Sequence, residues 1–155
     1  MKKIVVFITI FLCSVGAPCC AEIVSADHVS VSVMRRWLSE YYACKVDDDG
    51  DLVISRNDTA KILIKIIRKA KLVRIYARFN PYKKCSFAEM IILANKFNAT
   101  KRFLRISIDQ DSSSTCDYYI VYDGGLDSRN LLEAVKWFYS LEEDWCDYVI
   151  NKGSK

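Results

Sequence analysis

The feature that most constrains the fold is a regular alternation of apolar and polar residues between positions 61 and 79. It falls into two stretches, Lys61–Ile67 and Leu72–Phe79, which a basic turn from Arg68 to Lys71 separates. The alternating apolar positions are Ile62, Ile64, Ile66, Val73, Ile75, Ala77 and Phe79. Successive side chains of a strand point to opposite faces, so this period of two predicts adjacent strands with one face in the core and one in water. The basic residues are therefore interpreted as a solvated sheet face, with a phosphate-binding patch as the weaker alternative.

Helical patterns lie on both sides of these strands. Asp27 is the candidate N-cap of a helix that ends near Ala43. The apolar residues that recur along it at four-residue spacing are Val29, Val33, Trp37 and Tyr41. A second helix follows the capping box Ser86-Phe87-Ala88-Glu89 and runs to about Asn98. A long last helix begins at Asp127.

Three further segments complete the predicted sheet. Leu52–Arg56 precedes the alternating strands, whereas Arg102–Asp109 and Cys116–Tyr122 follow the second helix and flank a polar turn at residues 110–114. The predicted order is α-βββ-α-ββ-α. This order indicates an α+β fold with a central, mainly antiparallel five-stranded sheet and flanking helices.

An acidic turn, Asp47-Asp48-Asp49-Gly50-Asp51, precedes the first of these strands. An Asp-Gly pair between apolar residues is typical of a tight turn. The segment also resembles a calcium loop. However, with Gly50 at the sixth position, Lys45 and Arg56 occupy the first and twelfth positions, which should be acidic. The turn is therefore the preferred interpretation.

The N-terminus has the three parts of a secretory signal, namely a basic start, an apolar run and a small-residue exit. They are Met1–Lys3, Ile4–Leu12 and Ser14–Ala21. The apolar run is much shorter than the roughly 20 residues of a membrane-spanning helix, so no membrane span is predicted. An apolar first strand of the domain is the alternative interpretation.

The candidate cleavage sites of this signal follow Ala17, Ala21 and Ala26. Cleavage after Ala21 is preferred, since Pro18 directly follows Ala17, and it makes Glu22 the mature N-terminus. The chain is thus predicted to contain a signal peptide (1–21), a tether (22–28), one α+β domain (29–150) and a disordered tail (151–155). The expected location is the bacterial periplasm or the medium.

The charge balance argues against a nucleic-acid partner. Lys2 and Lys3 lie in the segment expected to be removed, so the 23 basic residues become 21 against 19 acidic ones, and the net charge falls from +4 to +2. A dedicated nucleic-acid binder needs a clustered positive excess to neutralise phosphates.

Four cysteines remain after the predicted cleavage: Cys44, Cys85, Cys116 and Cys146. An even number of cysteines in an exported chain indicates disulfides, because oxidising compartments preserve them. The wide spacings lack the close pairs of zinc sites. Buried free thiols are the alternative, since cysteine is common in protein cores.

The predicted topology favours a Cys85–Cys116 disulfide. A helix crossover makes the third and fourth strands parallel, and a short turn then makes the fifth strand antiparallel to both. Cys116, near the start of the fifth strand, is therefore expected at the end of the sheet where the third strand finishes near Phe79. Cys85 follows that point closely. Cys44 is expected at the opposite end, and Cys146 competes for either partner.

No catalytic or metal-ligand constellation is found in the sequence. Nucleophilic catalysis by Ser or Cys needs a base, and the only histidine, His28, is predicted to lie on the surface at the start of the first helix. The carboxylates Glu142, Glu143, Asp144 and Asp147 are interpreted as solvated. We therefore predict no enzyme activity and no cofactor.

Two stretches resemble the YbjN family, whose members are described as bacterial sensory transduction regulators. One is the acidic turn with its strand, Val46–Ile54. The other runs from Ile92 through Asn98 and the strand ending at Asp109 to the segment Tyr118–Tyr122. With the last helix, the resemblance covers about Val29 to Val149. It implies a fold like that of type III secretion chaperones, without established catalytic residues.

The leading hypothesis is an exported, non-enzymatic, protein-binding or chaperone-like regulatory module. The resemblance and the missing catalytic set support it, and its expected partner is another protein, with a homodimer as a further hypothesis. An extracytoplasmic hydrolase-like enzyme that uses dispersed carboxylates and a structural envelope protein are the alternatives. A deep pocket with two carboxyl groups of raised pKa favours the hydrolase.

Overall fold

The structure is a computed structural model that describes residues 21–56 and 61–153. Residues 1–20, which hold nearly all of the predicted signal peptide, lie outside the described residues. The described residues form three α-helices: α1 (Val31–Leu38), α2 (Phe87–Thr100) and α3 (Ser128–Lys152). The strands are β1 (Ile23–Val24), β2 (Ala43–Val46), β3 (Leu52–Ser55), β4 (Lys61–Ile67), β5 (Leu72–Phe79), β6 (Arg105–Ile108), β7 (Ser114–Val121) and β8 (Leu126–Asp127).

The main sheet has six strands in the order β2-β3-β4-β5-β7-β6, and every neighbouring pair is antiparallel. Because β5 and β6 both pair antiparallel with β7, they run parallel to one another, as predicted. The predicted α+β class with an antiparallel sheet is confirmed, but the strand count was one too low.

The missed strand is β2. The helical spacing of apolar residues was extended to Ala43, whereas α1 ends at Leu38 and the chain turns before Ala43 pairs with Ser55. Tyr41, the last residue of that pattern, is 57% exposed and does not extend the buried face of α1. Four-residue spacing alone therefore overestimated the length of the helix.

Local side-chain hydrogen bonds determine where the helices begin. Ser30, and not the predicted Asp27, caps α1 by accepting a hydrogen bond from the backbone N–H of Val33 at 3.3 Å. The predicted capping box of α2 is present, since Ser86 N–H donates to the Glu89 carboxylate at 2.7 Å and the Glu89 N–H donates to the Ser86 hydroxyl at 3.3 Å. The acidic segment between β2 and β3 is a turn, as predicted.

The three helices cover one face of the main sheet. Helix α3 packs against both α1 and α2, so it lies at the centre of the helical layer. The sheet positions beneath it are buried, and on β4 and β5 they alternate with less buried positions, as expected for a half-buried sheet. They include Leu52, Ile54, Ile62, Ile64, Val73, Ile75, Ala77, Ile106, Cys116 and Ile120. The facing helical residues include Met34, Leu38, Met90, Phe97, Leu131, Val135, Phe138, Trp145 and Val149.

The segment predicted as a tether is part of the fold. Strand β1 pairs with β8 in a separate two-stranded sheet, and the Glu22 N–H donates to the Ser128 hydroxyl at 2.9 Å. The Glu22 carboxylate accepts hydrogen bonds from Arg36 and, at 2.7 Å, from the indole N–H of Trp37. Two strand residues were too few to produce a recognisable sequence pattern. At the other end, residues 151–152 of the predicted tail belong to α3.

Candidate binding site

The open face of the main sheet carries a network of paired charges. Arg74 on β5 forms an ion pair with Asp117 on β7, and its guanidinium lies 4.2 Å from the ring centroid of Tyr76. Lys65 on β4 pairs with Asp51 at 3.1 Å, and the Tyr76 hydroxyl donates to the same carboxylate at 3.4 Å. The hydrogen bond to Asp51 raises the pKa of Lys65.

Arg78 extends this network at the end of β5. Its guanidinium lies 3.0 Å from the Asp111 carboxylate and 3.6 Å from that of Asp109, and it donates to the Ser113 hydroxyl. Three cations of the alternating strands, Lys65, Arg74 and Arg78, therefore form ion pairs with neighbouring carboxylates. This arrangement agrees with the interpretation of a solvated sheet face.

A different surface feature offers room for a ligand. An apolar cavity of about 250 Å³ lies at the end of the sheet where β5 finishes and β7 begins. The sheet contributes Phe79 and Ser114, and the following loop contributes Asn80 and Tyr82. The helices contribute Met90, Trp145, Cys146, Val149 and Ile150. Ile150 is 51% exposed, so it lies at the mouth, whereas Met90 and Trp145 are buried.

Helix and sheet hold the inner wall of this cavity in place. The indole N–H of Trp145 donates to the Ser114 hydroxyl at 3.0 Å, and both residues are buried. The Trp145 ring packs edge-on against Phe97, with centroids 5.3 Å apart. A tryptophan with a satisfied N–H and a packed ring has little freedom to collapse into the neighbouring space. The wall is therefore preorganised.

The loop at residues 80–86 forms the opposite wall and is fixed to the end of α3. The Cys85 thiol lies 3.8 Å from the carbonyl oxygen of Gly153. A Cβ at Gly153 would overlap the Cys85 sulfur and would lie 2.8 Å from the carbonyl oxygen of Val149. Only a residue without a side chain allows this close approach. Lys83 and Lys84 on the same loop are exposed.

Glu142, one of the four acidic residues on α3 that were predicted to be solvated, is buried. Glu142 is only 3% exposed, because it continues the inward-facing positions that Phe138, Trp145 and Val149 occupy. Burial, and to a lesser extent the charge of Glu143, raises the pKa of Glu142 to about 7. Its Oε2 atom has no hydrogen-bond partner among the described residues. Glu142 follows Phe138 by four residues, and this helical spacing was the sequence signal that its side chain faces inward.

The buried Glu142 does not form the pocket with two carboxyl groups that the hydrolase hypothesis requires. Glu142 is not among the residues that line the cavity. The adjacent Glu143, Asp144 and Asp147 are exposed, and Asp144 forms an ion pair with Lys101 at 2.5 Å. The two-carboxyl pocket that favours the hydrolase is therefore not formed by this cluster.

The four predicted disulfide candidates are free thiols in the described structure. Cys116 is buried on β7, and burial followed by the charge of Cys146 raises its pKa. Cys146 lines the apolar cavity, and Cys44 is half-buried on β2. The Cys85–Cys116 pairing stays a prediction. Cys146, whose charge contributes to the raised pKa of Cys116, stays the competing partner.

Sequence reasoning did not find the cavity, because its walls come from parts of the chain that are distant in sequence. Ser114 was assigned to a polar turn, but it is the first residue of β7 and faces α3. His28 is exposed, as predicted, and its Nδ1 lies 2.8 Å from the Ser25 hydroxyl. Within residues 21–56 and 61–153, no cluster of three or more His, Cys, Asp or Glu can hold a metal ion. The helices of this described part are too short or too polar to cross a membrane.

Comparison with known proteins identifies the family. The sequence model of the YbjN family, described as "Putative bacterial sensory transduction regulator", matches residues 30–150. This match confirms the resemblance predicted from the sequence. Among curated protein sequences, none matches the chain significantly.

Three solved structures share the fold. The crystal structure of YbjN, described as "a putative transcription regulator from E. coli", has a TM-score of 0.63 and 13% identity, and it covers 76% of this chain and 88% of that one. A chain of the HopA1-SchA chaperone-effector complex has a TM-score of 0.54 and 13% identity, with coverages of 73% and 87%. An uncharacterized protein from Methanothermobacter thermautotrophicus has a TM-score of 0.60 and 15% identity, with coverages of 80% and 99%. At these identities the likeness shows the fold alone.

Proposed function

We propose that this chain, which belongs to the YbjN family, is an exported, non-catalytic regulatory or chaperone-like module that binds another protein. The fold that it shares with a chain of a chaperone-effector complex supports a protein partner. The single observation that carries the proposal is the preorganised apolar cavity between α3 and the loop at residues 80–86.

The cavity is suited to a partner's side chain because of its size and lining. Ligand pockets for whole small molecules span about 300–1,000 Å³, and this cavity of about 250 Å³ is smaller. Apolar anchors that fill such pockets contribute much of the binding energy of protein interfaces. Ile150 stands at the mouth, where a partner would cover it.

The contacts of Glu22 favour Ala21 over Ala26 as the cleavage site in an exported chain. Cleavage after Ala21 leaves β1 and the hydrogen bonds of Glu22 to Ser128, Arg36 and Trp37 in place. Cleavage after Ala26 would remove all of them. The α-ammonium group of a mature Glu22 can donate to Ser128 in place of the peptide N–H.

The test compares two aspartate variants with the wild type as bait in the native envelope fraction. Ile150→Asp places a charge at the cavity mouth. Ile92→Asp is the matched control on α2, because the two isoleucines are 51% and 52% exposed. We expect one partner to bind the wild type and Ile92→Asp but not Ile150→Asp. The purified partner should reproduce this order of affinities in calorimetry.

Two results would contradict the proposal. In the first, both variants retain the partner with unchanged affinity. In the second, light scattering shows a wild-type dimer that Ile150→Asp alone converts to a monomer. The second result would mean that a further copy of this chain, and not a different protein, occupies the cavity.

A further inference from the structure

We infer that the cavity receives an aromatic side chain from a partner segment whose neighbouring residues are acidic. This inference rests on the proposed protein-binding function and names the chemistry of the partner. It combines the volume of the cavity, the polarity of its lining and the charge of the loop at its mouth.

The volume favours an aromatic side chain. An apolar cavity of about 150 Å³ is sufficient to bind benzene. The present cavity, at about 250 Å³, has room for a whole aromatic ring with the methylene group that joins it to a backbone. Phe79, Tyr82 and Trp145 supply ring edges and faces, against which a further ring packs favourably.

The lining of the cavity favours an inserted side chain that has no polar group at its tip. The buried hydroxyl of the lining belongs to Ser114, and its oxygen already accepts the indole N–H of Trp145. Asn80, the amide of the lining, is exposed and so lies towards the mouth. A charged or strongly polar group placed deep in the cavity would lose its hydration without compensation.

Two cations, Lys83 and Lys84, lie on the loop that supplies Asn80 and Tyr82 to the cavity. They lie between Tyr82, which lines the cavity, and Cys85, which contacts Gly153. Both lysines are exposed, and neither forms an ion pair with another described residue. By contrast, Lys65, Arg74 and Arg78 on the open sheet face form ion pairs with carboxylates. The two lysines are therefore available to carboxylates on each side of an inserted ring.

The test uses the indole N–H resonance of Trp145 in the full mature chain, which contains three tryptophans. The probe is the capped peptide Asp-Glu-Phe-Glu-Asp, and the comparison peptides replace Phe by Ala or the acidic residues by Lys. The acidic Phe peptide should shift the Trp145 resonance, whereas that of Trp137, which is 57% exposed and outside the cavity lining, stays in place. Assignment by triple-resonance experiments requires no tryptophan variant.

The expected affinity difference between acidic and basic Phe peptides is at least about fivefold at low salt, and it should shrink as salt screens the charges. The double variant Lys83→Ala/Lys84→Ala should remove most of this difference. The Ala peptide should not move the Trp145 resonance.

Equal shifts from the Phe and Ala peptides, or no shift at Trp145 from either Phe peptide, would overturn the aromatic anchor. Equal affinities of the acidic and basic Phe peptides would overturn the acidic flanks. Neither result removes the Ile150-dependent capture of a native partner. The inference and the proposed function therefore fail in different experiments.

Discussion

The indole N–H of Trp145 donates a hydrogen bond of 3.0 Å to the hydroxyl oxygen of Ser114. This bond joins the C-terminal half of the inward face of α3 to the first residue of β7, and both partners are buried. It fixes the helix over the sheet at the point where the apolar cavity begins. The stability of the domain and the shape of the proposed binding site therefore depend on the same contact.

Replacement of Ser114 by alanine should destabilise the domain by about 1–3 kcal/mol, because the buried indole N–H loses its acceptor. Urea unfolding followed by tryptophan fluorescence measures this change. Ser140→Ala on the exposed side of α3 is the control, and it should be neutral or slightly stabilising, since alanine favours helices. Equal stabilities of the two variants would show that the hydrogen bond contributes nothing.

The buried Glu142 should make the stability of the domain depend on pH. Burial raises its pKa in the folded state to about 7, whereas an unfolded glutamate has a pKa of about 4.3. Between these values the folded state binds more protons, so the free energy of unfolding falls as pH rises from about 4 to 7. At about 1.4 kcal/mol per pKa unit, the loss is up to about 4 kcal/mol.

Glu142→Gln keeps the shape of the side chain without its titration, so its unfolding free energy should change less between pH 5 and pH 8 than that of the wild type. The exposed Glu40→Gln is the control and should retain the wild-type slope. An unchanged slope in Glu142→Gln would contradict the assignment of this pH dependence to Glu142.

The strands that carry strong alternation were predictable from sequence. β4 and β5 match the predicted strands Lys61–Ile67 and Leu72–Phe79 in full, because one face of each strand is apolar over several residues. The capping box of α2 was equally clear, since both partners of its reciprocal hydrogen bonds are local in sequence. The strands β1 and β8 were missed because two residues carry no recognisable periodicity, and β2 was missed because the helical spacing was extended to Ala43.

The candidate site was harder to predict than the fold. Its lining brings Phe79, Met90, Ser114 and Val149 together from β5, α2, β7 and α3. No local spacing relates these residues. The buried Glu142 was also missed, because charged residues are rarely fully buried, although its position on α3 belongs to the apolar face. Packing between distant elements, and not residue type, determines both features.

Gly153→Ala should destabilise the end of α3. Its Cβ would overlap the Cys85 sulfur and would lie 2.8 Å from the Val149 carbonyl oxygen, so the helix end or the loop at residues 80–86 must move. We expect a loss of about 1 kcal/mol or more, in line with overpacking. Faster alkylation of the Cys85 thiol should accompany it. Gly124→Ala is the matched control, because no atom lies within 4 Å of the position that its new methyl group would take.

The mature N-terminus is predicted to be Glu22. Intact-mass measurement on protein from the exported fraction should give the mass of residues 22–155. A product that begins at Asp27 would lack β1 and the contacts of Glu22 with Arg36 and Trp37, so we expect it to unfold at lower urea concentration. A mass that includes residues 1–21 would contradict the export proposal.

Oxidation of the mature protein tests the cysteine arrangement. In the structure Cys85 contacts Gly153, whereas the pKa of Cys116 is raised by burial and then by the charge of Cys146 on α3. With oxidised glutathione as the oxidant, two thiols form one disulfide, and their two electrons and two protons pass to the glutathione. We expect peptide mapping without reduction to recover Cys116 linked to Cys146 more often than to Cys85.

The rate and the product of this oxidation separate the two pairings. Because Cys116 is buried, its reaction should be slow in the folded state and should accelerate in partly denaturing urea. A dominant Cys85–Cys116 peptide would instead support the pairing predicted from strand topology, and it would require the loop at residues 80–86 to leave its contact with Gly153. Cys146→Ser distinguishes the outcomes, because it abolishes a Cys116–Cys146 link but leaves a Cys85–Cys116 link intact.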